Sequence, residues 1–283
     1  MGSPCILHAY HENEIYLKQA LELAKAEVLR LEKKYSRYLD DSVLSHINRS
    51  TSPVDVDPET AGLLNYAKTC FEFSDGLFDI TSGVFRSIWD FRKLVIPAKV
   101  SIAEVQQRVG FEKIHWDGKR LLLPADMELD FGGVVKEYAA DQARNLLREQ
   151  GVEYGLVDLG GDMSVVGPKP GGQPWQIGVR NPQDPLKPIV TIPLYAGAIA
   201  TSGYYERFIM INGERYCHVI NPKTGWPVRH VASVSVVSDE CLVCGSLTTV
   251  AMLKEKCGAN WLQEQGATYF LLSDKGEQFG SIG

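Results

Sequence analysis

The chain lacks any long hydrophobic run. None of its 283 residues form a stretch near the roughly 20 apolar residues that a membrane-crossing helix needs, so no membrane span is expected. It also lacks a basic stripe. Its formal net charge is −6 and neither sign forms a long run, which argues against a nucleic-acid partner, because phosphate backbones must be neutralised by clustered Lys and Arg. Cysteine is sparse and scattered, with six residues at 5, 70, 217, 241, 244 and 257. In a chain this long, that pattern fits reduced thiols better than a disulfide framework. Cys241 and Cys244 form a single C-x-x-C with no second pair at zinc-finger spacing. No G-x-S-x-G elbow and no Walker loop is present. The N-terminus shows no basic, apolar and small-residue leader, so the expectation is a soluble, cytoplasmic protein; a periplasmic location is the alternative if a leader once preceded Met1.

What is present reads as a core-forming globular protein, at 45% hydrophobic and 10% aromatic residues. Ile15, Ala20, Leu21, Ala24, Val28, Leu29 and Leu31 lie near helical spacing and predict a long amphipathic helix. A second helix is predicted from Pro58 to about Phe73, stopped by Ser74-Asp75-Gly76. Ser101 and Glu104 stand at capping-box spacing for a short helix ending at Gly110. From Trp175 to Val237 the pattern is strand after strand, followed by a helix from about Leu242 to Lys254 and a strand from Tyr269 to Leu272. With no repeat, low-complexity tract or linker, the expectation is one α+β domain over residues 1–283. Its sheets should be mainly antiparallel and flanked by helices, with two subdomains possible.

Two segments carry chemistry. In residues 129–141 an acid, Asp130, ends an apolar run; Gly132-Gly133 follows, and a helix begins with Lys136 in its first turns. Paired glycines permit close backbone approach and a helix start offers N–H groups to phosphate oxygens, although the same arrangement also serves as a plain tight turn. Asn212-Gly213 sits between two β-like runs and predicts a two-residue hairpin turn. That turn sets Ile211 opposite Glu214, Ile209 opposite Tyr216 and Arg207 opposite His218, so that Arg207, Tyr216 and His218 share one side. His218 then lies near a strand end, before Asn221-Pro222-Lys223-Thr224-Gly225, where an imidazole can take a proton from a hydroxyl or simply be hydrogen-bonded in place.

Taken in order, the blocks Met1-Gly2-Ser3-Pro4, Tyr35-Ser36-Arg37-Tyr38 with Asp41-Ser42, Ser74 to Asp79, Leu129 to Asp141, Leu159-Gly160-Gly161-Asp162, Ala200 to Gly203 and His218 to Gly225 resemble the ApbE family over essentially the whole chain. That resemblance implies an FAD:protein FMN transferase: FAD is cleaved at its pyrophosphate, FMN is joined to a Thr or Ser hydroxyl of an acceptor protein, AMP leaves, and Mg²⁺ assists. It places Met1, Tyr38, Leu77, Phe78, Asp79, Asp130, Lys136 and Ile220 at the flavin nucleotide. Gly133 would offer a backbone carbonyl to the metal, and His218 would deprotonate the acceptor hydroxyl.

Two positions depart from the family pattern. Where the family has Asp-Ala-x-x-Thr for metal binding, this chain has Cys244-Gly245-Ser246-Leu247-Thr248. Thr248 is retained, but a thiol at Cys244 replaces the carboxylate, and a hard ion prefers oxygen. The second departure is Glu137, where glycine usually follows the lysine. Besides transfer, the sequence therefore admits an FAD pyrophosphatase, with water as acceptor, or a flavin-binding protein with weakened catalysis.

Overall fold

A computed structural model describes residues 3–182, 184 and 186–282 of the chain. Strand β1 (Cys5–Tyr10) leads into helices α1 (Glu14–Lys34) and α2 (Val43–Arg49), then β2 (Val54–Asp55) and α3 (Pro58–Phe73). Helix α4 (Lys99–Gln106), β3 (His115–Trp116), β4 (Arg120–Leu122) and α5 (Val135–Glu149) follow. The second half is strand-rich: β5 (Tyr154–Leu159), β6 (Asp162–Gly167), β7 (Trp175–Arg180), β8 (Pro188–Leu194), β9 (Ala198–Gly203), β10 (Phe208–Ile211), β11 (Glu214–Cys217) and β12 (Val231–Ser238). Helices α6 (Cys241–Leu253) and α7 (Gly258–Glu264) and strands β13 (Thr268–Ser273) and β14 (Gln278–Gly280) end it.

Seven strands form one antiparallel sheet in the order β1-β5-β6-β9-β12-β13-β14, giving the α+β class. Alternation along its strands divides the side chains between two cores. Val157, Val166, Ala198, Ala200 and Leu271 join the main core with α1, α5 and α6, whereas Leu156, Val165, Ile199, Phe270 and Leu272 pack with Trp175 and Ile177 of the β7–β8 hairpin. Each large side chain so buried contributes about 1.5–3 kcal/mol, which ties the register to the pattern.

Helices α3 and α6 and strand β13 fall where the sequence patterns place them, within a residue or so. Two local expectations fail. Helix α4 starts earlier than the Ser101 cap allows: Ala98 is its N-cap, no side chain caps it, and Ser101 lies inside the first turn. On α1, Ala20, Ala24, Val28 and Leu31 are buried, but Ile15 and Leu29 face solvent, because the core covers only a narrow stripe of this helix.

A buried carboxylate joins α5 to α6. Asp141 accepts from the backbone N–H groups of Cys241 (2.9 Å) and Leu242 (3.0 Å) and from the Ser164 hydroxyl (2.8 Å), with Arg144 at 3.4 Å. It thus does the capping that Glu240, at the N-cap of α6, does not. The last residues of the 129–141 segment therefore position the helix that carries Cys244 and Thr248.

Candidate active site

The β10–β11 hairpin has the expected register, Ile211 opposite Glu214 and Ile209 opposite Tyr216. Asn212 (φ 52°) and Gly213 (φ 81°) are both left-handed, as a type I′ turn requires. One further pair beyond the strands, the His218 N–H donates to the Arg207 carbonyl at 3.0 Å. Tyr216 is buried in a third apolar cluster with Phe85, Trp89 and Ile209, and the Trp89 indole N–H donates to the Gly225 carbonyl at 2.9 Å. His218 differs from Tyr216: the strand has ended, and its ring keeps solvent exposure while protein surrounds it. Burial pushes its pKa down; the Arg207 carbonyl opposes this, and the Arg207 and Lys136 charges add to the lowering. Because a carbonyl only accepts, the 3.3 Å contact of Nδ1 with the Arg207 oxygen puts the proton on Nδ1. Nε2 then carries the lone pair of a base.

Lys136, in the first turn of α5, pairs with the Asp162 carboxylate and lies 3.9 Å from Glu137 Oε1. Asp162 and Glu137, with Glu206, raise the lysine pKa against the opposing effect of burial. Asp162 is itself held by the Thr201 N–H at 3.1 Å, which binds the second diglycine loop to β9. Glu137 is 6% exposed, and its Oε2 has no hydrogen-bond partner. Burial first, then the neighbouring Asp162 charge, pushes its pKa well up. Ser202 and Thr248 share a hydroxyl–hydroxyl bond of 2.9 Å, and Thr248 also donates to the Gly245 carbonyl at 2.9 Å.

Asp130 forms a second cluster at the front of the same segment. Its N–H donates to the Ile80 carbonyl at 2.8 Å, its Oδ1 accepts from Gly132 N–H at 2.8 Å, and Arg37 and Arg86 (3.3 Å) both pair with Oδ2. A Cβ on Gly83 would meet the Asp130 Cβ at 2.6 Å, so glycine there permits the close approach. Asn48 hydrogen-bonds the Leu129 backbone in both directions (2.8 and 2.9 Å), as a neighbouring strand would. Tyr38 is 80% exposed, with the Arg37 guanidinium 5.0 Å from its ring centroid.

The other predicted residues have more local surroundings. Asp79 is buried and accepts from the Thr81 N–H (2.8 Å) and hydroxyl (2.7 Å) and from the Phe111 N–H (3.2 Å), which shapes the loop around Leu77 and Phe78. Phe78 is buried beside Gly133, 3.9 Å from where a Cβ there would stand. Ile220 packs against the third cluster and bridges to Pro227. The Cys244 thiol is fully buried, its pKa raised by burial, and it donates to the Ala198 carbonyl at 3.5 Å. Met1 lies outside the described residues; nearby Ser3 packs on Gly160, where a Cβ would meet it at 2.5 Å. Arg86, Asp162 and Glu206 were not among the residues predicted for the site. Only the repeated diglycine-plus-acid, Gly160-Gly161-Asp162, offered a sequence signal for one of them.

A cavity of about 600 Å³ opens between Phe71, Asp79, Gly110, Glu112, Pro222 and Lys223, but Asp130, Lys136 and His218 do not line it. The chemistry follows the side chains above instead. Among the described residues no three His, Cys, Asp or Glu side chains meet as a metal cluster. The oxygens beside the Lys136 ammonium are those of the Asp162 and Glu137 carboxylates. This hard donor set, with one carboxylate oxygen unpartnered, fits Mg²⁺ and not a soft ion.

The ApbE family model matches residues 1–271, and the chain belongs to that family. The chain is 31% identical over 259 residues to an FAD:protein FMN transferase of Salmonella typhimurium, covering 86% of this chain and 74% of the relative. A Treponema pallidum protein of the same name is 29% identical over 295 residues, covering 93% and 82%. The fold is similar to the ApbE protein of Thermotoga maritima, at TM-score 0.87, 30% identity and coverage of 96% and 91%. It is similar at the same TM-score to apo flavinyl transferase ApbE of Pseudomonas stutzeri, at 26% identity and coverage of 99% and 90%. No helix among the described residues is long and apolar enough to cross a membrane.

Proposed function

We infer that this ApbE-family enzyme is an FAD:protein FMN transferase that joins FMN to a Ser or Thr hydroxyl of an acceptor protein. The observation that carries the reading is His218: its Nε2 is free to accept a proton, its pKa is held low, and it lies within electrostatic reach of Lys136. In the reaction the acceptor oxygen forms a bond to the FMN phosphorus, the pyrophosphate P–O bond breaks, AMP leaves, and the hydroxyl proton passes to His218 Nε2. Lys136 orients the phosphates and balances their charge. Asp130, held by Arg37 and Arg86, and exposed Tyr38 bind the nucleotide, together with Leu77, Phe78, Ile220 and Met1. Asp79 acts by shaping the loop, since its carboxylate is already satisfied. Mg²⁺, when bound, neutralises the charge that develops on the pyrophosphate oxygens. The Gly133 carbonyl and the Thr248 hydroxyl would help to hold it, whereas the Cys244 thiol, turned toward β9, is poorly placed to do so. The scattered cysteines support a cytoplasmic location.

The test is to incubate the protein with FAD, Mg²⁺ and a Ser/Thr acceptor, then to look for covalent flavin fluorescence on a denaturing gel and for AMP. Labelled acceptor with AMP is the expected result. AMP without label would replace transfer by hydrolysis, and bound FAD without AMP would leave binding alone.

A further inference from the structure

Among the described residues, Glu137 is the buried acid left short of a partner. It is 6% exposed, it reaches between α5 and α6, and one of its oxygens has no partner. Removing a carboxylate from water without compensation costs several kcal/mol, so a buried acid must gain either a counter-charge or a proton, and a cation that displaces the proton satisfies it fully. Among the described residues, the cation paired with it is Lys136, and that lysine is already committed to Asp162 while facing Glu206 as well. One lysine charge against three acids leaves the cluster short of positive charge.

The structure also makes room for this acid. A Cβ on Gly245 would stand 2.5 Å from Glu137 Cγ and 3.0 Å from Cδ, so glycine at 245 is what lets the Glu137 side chain lie against α6. Gly245 follows Cys244 directly, and its carbonyl accepts the Thr248 hydroxyl. Glu137 therefore enters from α5 the turn of α6 on which Cys244 and Thr248 stand. Asp162 lies beside it, held by Thr201, and Ser202 bonds Thr248. The result is a group of hard oxygens in which one carboxyl oxygen has no partner, adjoining the lysine at the head of α5.

We propose that Glu137 is a ligand of the divalent cation, supplying from α5 the carboxylate that Cys244 does not supply from α6. Glu137, Gly245 and Cys244 then form one arrangement: the acid has moved to the facing helix, glycine admits it, and the thiol at 244 is left to pack. This deepens the transferase reading and rests on it for the identity of the metal as Mg²⁺.

Metal binding can be measured without turnover, on the full chain with FAD present. Mn²⁺ serves as a paramagnetic probe titrated by electron paramagnetic resonance, and Mg²⁺ as the ligand in thermal denaturation. For Glu137→Gln, Mn²⁺ affinity should fall about tenfold or more, and the Mg²⁺-induced rise in melting temperature should disappear. The double variant Glu137→Gly, Cys244→Asp returns the carboxylate to α6 and should recover most of the lost affinity, which a merely structural role of Glu137 would not allow. Should Glu137→Gln fail to fold, the double variant against Glu137→Gly alone gives the same contrast. Unchanged Mn²⁺ affinity in Glu137→Gln, or no Mn²⁺ binding by the wild-type protein, overturns the proposal. Acceptor labelling separates the two readings. Labelling with Glu137-independent metal binding defeats only the ligand assignment, while Glu137-dependent metal binding without labelling or AMP defeats only the transferase.

Discussion

Glu137 and Asp141 stand one turn apart on α5, both carboxylates, both almost wholly buried, yet they are satisfied to opposite degrees. Asp141 accepts from two backbone N–H groups and a hydroxyl and has Arg144 beside it. Glu137 has an oxygen with no partner and a single lysine shared with other acids. The difference shows what each is for. An acid with every lone pair occupied stabilises the fold, and an acid left short of donors is available to a ligand.

This division can be broken most severely at His218, which is proposed to act in the chemistry and not in the packing. His218→Ala should lower the labelling rate about 10²–10⁴-fold while FAD binding and melting temperature stay close to wild type. A labelling rate unchanged by the substitution would remove His218 as the base. The pH profile sharpens the point. Its folded pKa is depressed, so the neutral, proton-accepting form persists to lower pH, and the acid limb of the rate should lie below the ordinary imidazole value of 6.5. A limb at or above that value would mean that another group titrates.

Asp141 should show the reverse behaviour. Asp141→Ala strands two N–H groups at the start of α6 and leaves the buried Arg144 with one fewer counter-charge, so it should cost about 3 kcal/mol of stability in denaturant titration. If the variant is as stable as wild type but inactive, the assignment of Asp141 to the fold is wrong. The smallest effect belongs to α1: Ile15→Ser, at a side chain 74% exposed, should change stability by less than about 0.5 kcal/mol. A larger loss would show that this face is covered by something in solution.

Much of the fold was legible because its signals are local. Asn212-Gly213 demands positive φ at two successive residues, and the β10–β11 register follows from that alone. The Pro58 start and Ser74 stop of α3 are likewise local chemistry, with Asp57 capping the first turn. The Ser101 signal failed because a capping box competes with whatever the preceding chain can wind, and α4 begins three residues earlier, after Ala98. Ile15 and Leu29 failed because helical spacing identifies a stripe but not its width, which the packing partners set.

By itself the sequence determined the family, the α+β class, the hairpin that carries His218 and the position of Lys136 at the head of α5. These depend on residue type, order and short spacing. Only the tertiary structure decided how the acids are used. Lys136 meets Asp162 across 26 positions, Arg37 meets Asp130 across 93, and Asp141 caps a helix 100 residues away. It also turned the Cys244 thiol to β9 and laid Glu137 over Gly245. Partners so distant in sequence are chosen by which helix faces which, and the free energy of a buried charge depends on that choice more than on the residue that carries it.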